Sequence, residues 1–141
     1  MIYTRKQLPP RISDAWGSGI YGASRGDRTH RGVDYLCEPG DPIYSPVKGR
    51  VSKHGFPYKP RPGDTITYRY VEITDYKGNK HRVFYIEPKI AVDLHIDTNT
   101  IIGIAQDIAE KYSTPEKVMG NHVHSEVIDA NGNYINPEEF L

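Results

Sequence analysis

Two short stretches carry side chains that could do chemistry together: His30-Arg31-Gly32-Val33-Asp34 and Asn121-His122-Val123-His124-Ser125-Glu126. Imidazole and carboxylate are ligands for a divalent metal, and zinc takes nitrogen and oxygen at about 2.0–2.2 Å. In an extended strand His30 and Asp34 would stand roughly 13 Å apart, too far for one ion to bridge. The chain is therefore expected to bend between them, at Gly32, which has no Cβ. Alone, the pair reads as an exposed histidine beside a turn aspartate; the second stretch gives it meaning. There, His122, His124 and Glu126 alternate onto one face of an expected strand. Same-face neighbours are ~6–7 Å apart, so one imidazole can hold a metal while the other reaches water or substrate bound to it. With His30 and Asp34 this makes two imidazoles and one carboxylate for the metal, and a spare imidazole for protons. Three protein ligands leave the fourth tetrahedral position open, as in a catalytic rather than a structural zinc.

The elements that must position these residues read mostly as strands. At 141 residues and 37% hydrophobic content, the chain fits one domain with a real core. Residues 1–28, rich in Gly, Pro, Arg and Ser, read as an irregular arm, and 29–141 as the domain. Short strands are expected at Asp34–Cys37, Pro42–Tyr44 and Gly49–His54, then a surface loop over Gly55–Asp64 with three prolines. Thr65–Tyr76 and Lys80–Glu87 read as a hairpin around Lys77-Gly78-Asn79. Thr100–Ala105 and His122–Asp129 are further strands, and Asp107–Tyr112 is a short helix. The sum is a mostly β, single-domain, antiparallel protein with long loops.

Composition narrows the function. Eighteen basic residues balance 18 acidic ones, so there is no overall field for nucleic acid or anionic lipid, and neither is expected as a partner. No apolar run approaches the ~20 residues of a membrane span, and the N-terminus lacks the apolar core of a secretory signal. The expectation is a protein that acts where it is made, leaves by another route or has lost a leader. The single cysteine, Cys37, excludes an internal disulfide and is expected to be a small buried apolar residue.

The combination resembles the lysostaphin-type zinc endopeptidases, which cut peptide cross-links of bacterial peptidoglycan. The family's His-x-x-x-Asp motif is matched by His30–Asp34, its Gly-x-x-(Val/Ile)-Tyr-(Ala/Ser)-Pro segment by Gly40–Pro46, its Gly-x-Val strand by Gly49–Val51, and its Ile-Gly and His-x-His elements by Ile102-Gly103 and His122-Val123-His124. The resemblance implies an antiparallel β sandwich of the lysostaphin-type fold, zinc held by His30, Asp34 and His124, and His122 as a catalytic histidine. It implies a wall-peptide substrate, reached by phage-type lysis, by a virion, or after removal of a leader. One position departs: where the family has Tyr-x-His, this chain has Tyr85-Ile86-Glu87. The segments VFYIEPKI and GNHVHSEV are similar also to the leukocyte cell-derived chemotaxin branch of the fold, whose members lack the complete catalytic set.

Two functions follow. In the first, an endopeptidase, Glu87 serves with His122, since a carboxylate beside a zinc water is a general base in other zinc peptidases. In the second, a binding module, the same groove and zinc recognise a peptide, glycan or protein without turnover, and Glu87 is a solvated strand-end residue paired with Lys89. Other histidines fill the gap less well: His81 is ~20 Å along the strand from Glu87, His54 reads as a strand-end surface residue, and His95 lies in the next loop. Arg25, Arg28 and Arg31 are candidates to line the groove and meet substrate carboxylates.

Overall fold

The computed structural model describes residues 31–113, 115 and 120–140; the proposed arm at 1–28 and His30 lie outside the described residues. The strands are β1 Gly32–Leu36, β2 Pro42–Tyr44, β3 Gly49–Gly55, β4 Tyr70–Thr74, β5 Lys80–Phe84, β6 Ile86–Pro88, β7 His95–Ile96, β8 Ile101–Ala105, β9 His122–Ile128 and β10 Tyr134–Ile135. One short helix, α1, spans Ile108–Tyr112, capped by the Asp107 carboxylate on the Glu110 amide. A 3-10 turn follows at Pro137–Phe140.

Seven strands form a large antiparallel sheet in the order β1-β9-β5-β4-β3-β7, with β10 on β9; β2, β8 and β6 form a small second sheet. The core lies between them. Val33, Tyr35, Val51, Val71, Ile73, Val83 and Val123 from the large sheet meet Ile43, Ile86, Ile102 and Ala105 from the small one. Because side chains alternate across a strand, packing one face in this way commits the alternate residues to the other. Two hairpins fix the register, and both are made the same way. Asp75 accepts from the amides of Lys77 and Asn79 ahead of Gly78 at φ 85°, and Asp129 accepts from Asn131 and Asn133 around Gly132 at φ 86°.

Two expectations are corrected. The run Thr65–Tyr76 is strand only from Tyr70. The run Lys80–Glu87 is two strands in two sheets, broken at Tyr85, whose φ of 71° is left-handed. For an aromatic residue that conformation costs about 1–2 kcal/mol, and backbone bonds hold it there. The Tyr85 and Ile86 amides both donate to the Arg69 carbonyl, at 2.8 and 3.2 Å, and the Tyr85 carbonyl accepts from Gln106 at 2.9 Å.

Candidate active site

The site is built by the pairing of β1 with β9. Their antiparallel register sets Asp34 opposite His124, Gly32 opposite Glu126 and Leu36 opposite His122. On the other side of β9, Phe84 stands opposite His124 and Arg82 opposite Glu126. With Val33, Tyr35, Val123 and Val127 turned into the core, Asp34, His122, His124 and Glu126 must share the opposite face. Gly32 is extended rather than bent. A Cβ there would collide with the Ser125 carbonyl and lie 2.8–2.9 Å from the His124 ring, so glycine's role is to give that ring its place.

Asp34 and His122 are only 3% and 4% exposed. The Asp34 carboxylate accepts from His124 Nδ1 at 2.7 Å, and Glu126 accepts from His124 Nε2 at 2.9 Å. Two carboxylate acceptors require both ring nitrogens to donate. Burial alone would pull His124 down, but the hydrogen bonds to Asp34 and Glu126 and their charges hold it up to about 9. His122 is set differently. Its Nδ1 donates to the Gly120 carbonyl at 2.8 Å, so in the neutral ring Nε2 carries the basic lone pair, 3.7 Å from Asp34 Oδ2.

The structure thus brings Asp34, His122 and His124 together. Glu87 does not join them: on β6 its side chain is 62% exposed, with Lys89 Nζ 3.4 Å away. His95 lies on β7 at the far edge of the large sheet, four strand spacings or ~19 Å from β9. His81 is on the core face, bonded to Asp75 at 2.9 Å and edge-on to Phe140. His54, expected at the surface, is half-buried with Nε2 on the Ile90 carbonyl. Arg31 lies over the Tyr134 ring, 4.8 Å from its centroid. Cys37 is a buried free thiol, pushed up to about 12 by burial. Two residues join the site without having been assigned to it. Glu126 was foreshadowed by its alternation with the histidines. Tyr85, edge-on to His122 with ring centroids 5.7 Å apart, was not, because its orientation depends on a left-handed backbone that no sequence pattern announces.

The donor chemistry suits zinc. Among the described residues no group of three His, Cys, Asp or Glu is gathered as a ligand set; Asp34 and His124 offer two donors. Glu126 on the remaining nitrogen of His124 stands where an outer carboxylate would orient that histidine if it held a metal. The 2.7 Å between Asp34 and His124 is a hydrogen-bond length, whereas two ligand atoms on a tetrahedral zinc stand ~3.4 Å apart. The pair therefore shares a proton that a metal would replace.

No family model matches the chain. Over 78 residues it is 33% identical to mouse (Mus musculus) leukocyte cell-derived chemotaxin-2, covering 55% of this chain and 49% of that protein. The chain spans about half the length of the curated relatives it matches. Among solved structures it is similar to the catalytic domain of the antimicrobial peptidase lysostaphin from Staphylococcus simulans, at a TM-score of 0.58 and 18% identity over 88% of this chain and 87% of that one. It is also similar to a zinc-containing peptidase from Vibrio cholerae, at a TM-score of 0.59 and 20% identity over 91% of this chain and 40% of the other. A mostly antiparallel two-sheet protein with this site on the open face of its large sheet, the chain has the lysostaphin-type peptidase fold, and over part of its length its sequence is similar to the chemotaxin-2 branch of that fold.

Proposed function

We propose that the chain is a zinc-dependent endopeptidase that hydrolyses peptide bonds of bacterial peptidoglycan. The observation that carries this reading is the buried constellation in which Asp34 and Glu126 bracket His124 while His122 presents Nε2 beside them. His30, Asp34 and His124 would hold the metal, with Glu126 orienting His124. Bound zinc would lower the pKa of a water towards ~7 and polarise the scissile carbonyl. His122, its tautomer set by the Gly120 carbonyl, exchanges protons at the reacting centre through Nε2. In this reading Glu87 is the second proton carrier, and it serves only by leaving Lys89. Phage-type release or a secretory leader would bring the protein to the wall, with residues 1–28 as an arm beside the domain at 29–141.

A second reading has an observation in its favour. Glu87, where the resembled family has histidine, is paired with Lys89 on an exposed strand, which suits a zinc-bearing binding module without turnover. Glu87→Gln separates the two: loss of general base catalysis lowers the rate roughly 10²–10⁴-fold, while a module has no rate to lose.

Metal analysis tests the ligand set. The parent is expected to carry close to one zinc per chain, His30→Ala and His124→Ala to lose it, and His122→Ala to keep it while losing turnover. Full zinc in both ligand variants would overturn the assignment; equal loss in His122→Ala and His124→Ala would mean their roles are not divided as stated.

A further inference from the structure

The last turn of α1 holds an ammonium inside a box of aromatic rings. Lys111 Nζ lies 4.8 Å from the centroid of the Tyr58 ring and 5.9 Å from those of Tyr68 and Tyr112. Tyr68 and Tyr112 stand at 84° and 71° to Tyr58, so the rings wall the ammonium on different sides. One further ring joins the box to the candidate site. Tyr85 lies 6.4 Å from Tyr58, 6.1 Å from Tyr68 and 5.7 Å from the His122 ring.

We propose that this box is a binding subsite for a primary alkylammonium, the charged amine of a peptide substrate, and that Lys111 fills it as an internal stand-in which the substrate displaces. The proposal rests on the reading of the chain as an endopeptidase and names a group that its substrate carries.

Three observations carry it. The first is how the box is built. Its walls come from separate segments: Tyr58 from the proline-rich loop, Tyr68 from the stretch before β4, and Tyr112 from the end of α1. Hydrogen bonds tie these segments together. The Tyr68 hydroxyl donates to the Asp107 carbonyl at 2.7 Å, Thr65 Oγ1 donates to the Glu110 carboxylate at 2.7 Å, and the Tyr58 and Tyr85 hydroxyls are 3.0 Å apart. Walls fixed in advance lower the ordering cost of binding.

The second is what the walls attract. The face of an aromatic ring is negative, and several rings around one centre are the arrangement by which proteins recognise ammonium groups. Lys59 and Asp64 stand beside the notch between Tyr58 and Tyr68, one charge of each sign. The rings, rather than a net field, therefore decide what it takes.

The third is how weakly the present occupant is held. Among the described residues the acidic neighbours of Lys111 on α1 are engaged elsewhere, Glu110 with Thr65 and Asp107 with the Glu110 amide. Attraction to the rings is thus set against the rotamer freedom that a fixed lysine gives up. With Lys111 in place the notch keeps a cavity of about 10 Å³, room for no more than a water. A substrate amine must therefore displace Lys111, and shortening that side chain should open the subsite.

n-Butylammonium, which reproduces the charged end of a lysine side chain, is the probe, followed by proton NMR with sodium chloride at equal ionic strength as the control. Lys111→Ala should bind it roughly tenfold more tightly than the parent, as expected if Lys111 fills the box about nine-tenths of the time. Adding Tyr58→Leu should weaken that binding roughly threefold to tenfold, the share of one ring contact; if the double variant does not fold by circular dichroism, Tyr112→Leu replaces Tyr58→Leu. Equal affinity in the parent and Lys111→Ala, or an affinity that loss of a ring leaves unchanged, overturns the proposal. Should Lys111→Ala fail to fold, the parent decides: butylammonium must move the Lys111 ε-methylene resonances out of the range shielded by the rings, and no movement overturns it. Among wall peptides that are cut, acetylating the free amine should raise KM severalfold with kcat kept, and an unchanged KM overturns the assignment to substrate. If butylammonium binds as stated but no wall peptide is cut, the ammonium site stands and the endopeptidase reading fails. If wall peptides are cut and butylammonium does not bind, the endopeptidase reading stands and the subsite fails.

Discussion

At Gly32 an added Cβ would meet the Ser125 carbonyl and the ring of His124. The ring is the part able to move, and moving it breaks the bonds to Asp34 and Glu126. Gly32→Ala is therefore expected to cost about 1–3 kcal/mol, as overpacking does, and to lower zinc retention with it. Urea unfolding and metal analysis of the variant check both effects, and parental values in the two would remove Gly32 from the site. The sequence put this glycine at a bend, and the structure puts it in a straight strand. Its real constraint comes from the Ser125 carbonyl and the His124 ring, far along the chain in β9, through a pairing that spacing does not reveal. His122, His124 and Asp34 were legible for the opposite reason: their chemistry is local to short motifs, and strand alternation alone sets the two histidines on one face.

Across β4 and β5, on the site face of the large sheet, Arg82 Nε lies 2.9 Å from Glu72 Oε1, opposite it in register. Ser52 donates to the other Glu72 oxygen at 2.7 Å and accepts from Thr74 at 2.8 Å. Glu72 is 4% exposed, so removing the guanidinium strands a buried carboxylate. Arg82→Ala should destabilise the chain by about 3 kcal/mol, the low end for a broken buried pair because the Ser52 bond remains. Denaturant unfolding measures this, and a loss under about 1 kcal/mol would place the pair among weak surface bridges. Most strands were legible at this scale, since apolar alternation and Gly-containing turns mark them. The split at Tyr85 was not, because the residues on both sides of it continue the strand pattern. Nor was β7, whose two residues are too few to carry any period and owe their pairing to β3.

Two sheets closing on one core divide the large sheet into a packed face and a face that carries the candidate site, and the histidines are sorted by that division. His122 and His124 look out over the site. His81 looks into the core, where burial lowers it despite the pull of Asp75. Burial would raise Asp75, but bonds from His81, Asn79 and Lys77 outweigh it and hold it below its usual value. Both groups bind fewer protons folded than unfolded, so both contribute stability that is lost on acidification. For His81 the loss begins as pH falls below about 6.5, the unfolded value, and continues towards its lower folded value. The Asp75 loss follows at lower pH, below the ordinary aspartate value. His124, held up to about 9, works the other way, gaining stability as pH falls to about 6.5 and little below it. Thermal melts from about pH 6.5 down to 5 should therefore show falling stability, and His81→Gln should flatten that fall; an unchanged slope would assign it to other groups. Among the described residues no helix is long and apolar enough to cross a membrane. The most direct test of the central claim is to incubate the purified protein with bacterial peptidoglycan and count newly released amino groups, with chelator, without it, and after zinc is restored. An endopeptidase of this design releases amino groups, stops when the metal is withdrawn and resumes when it returns. Zinc-loaded protein that releases none, or release that chelation leaves unchanged, would contradict it.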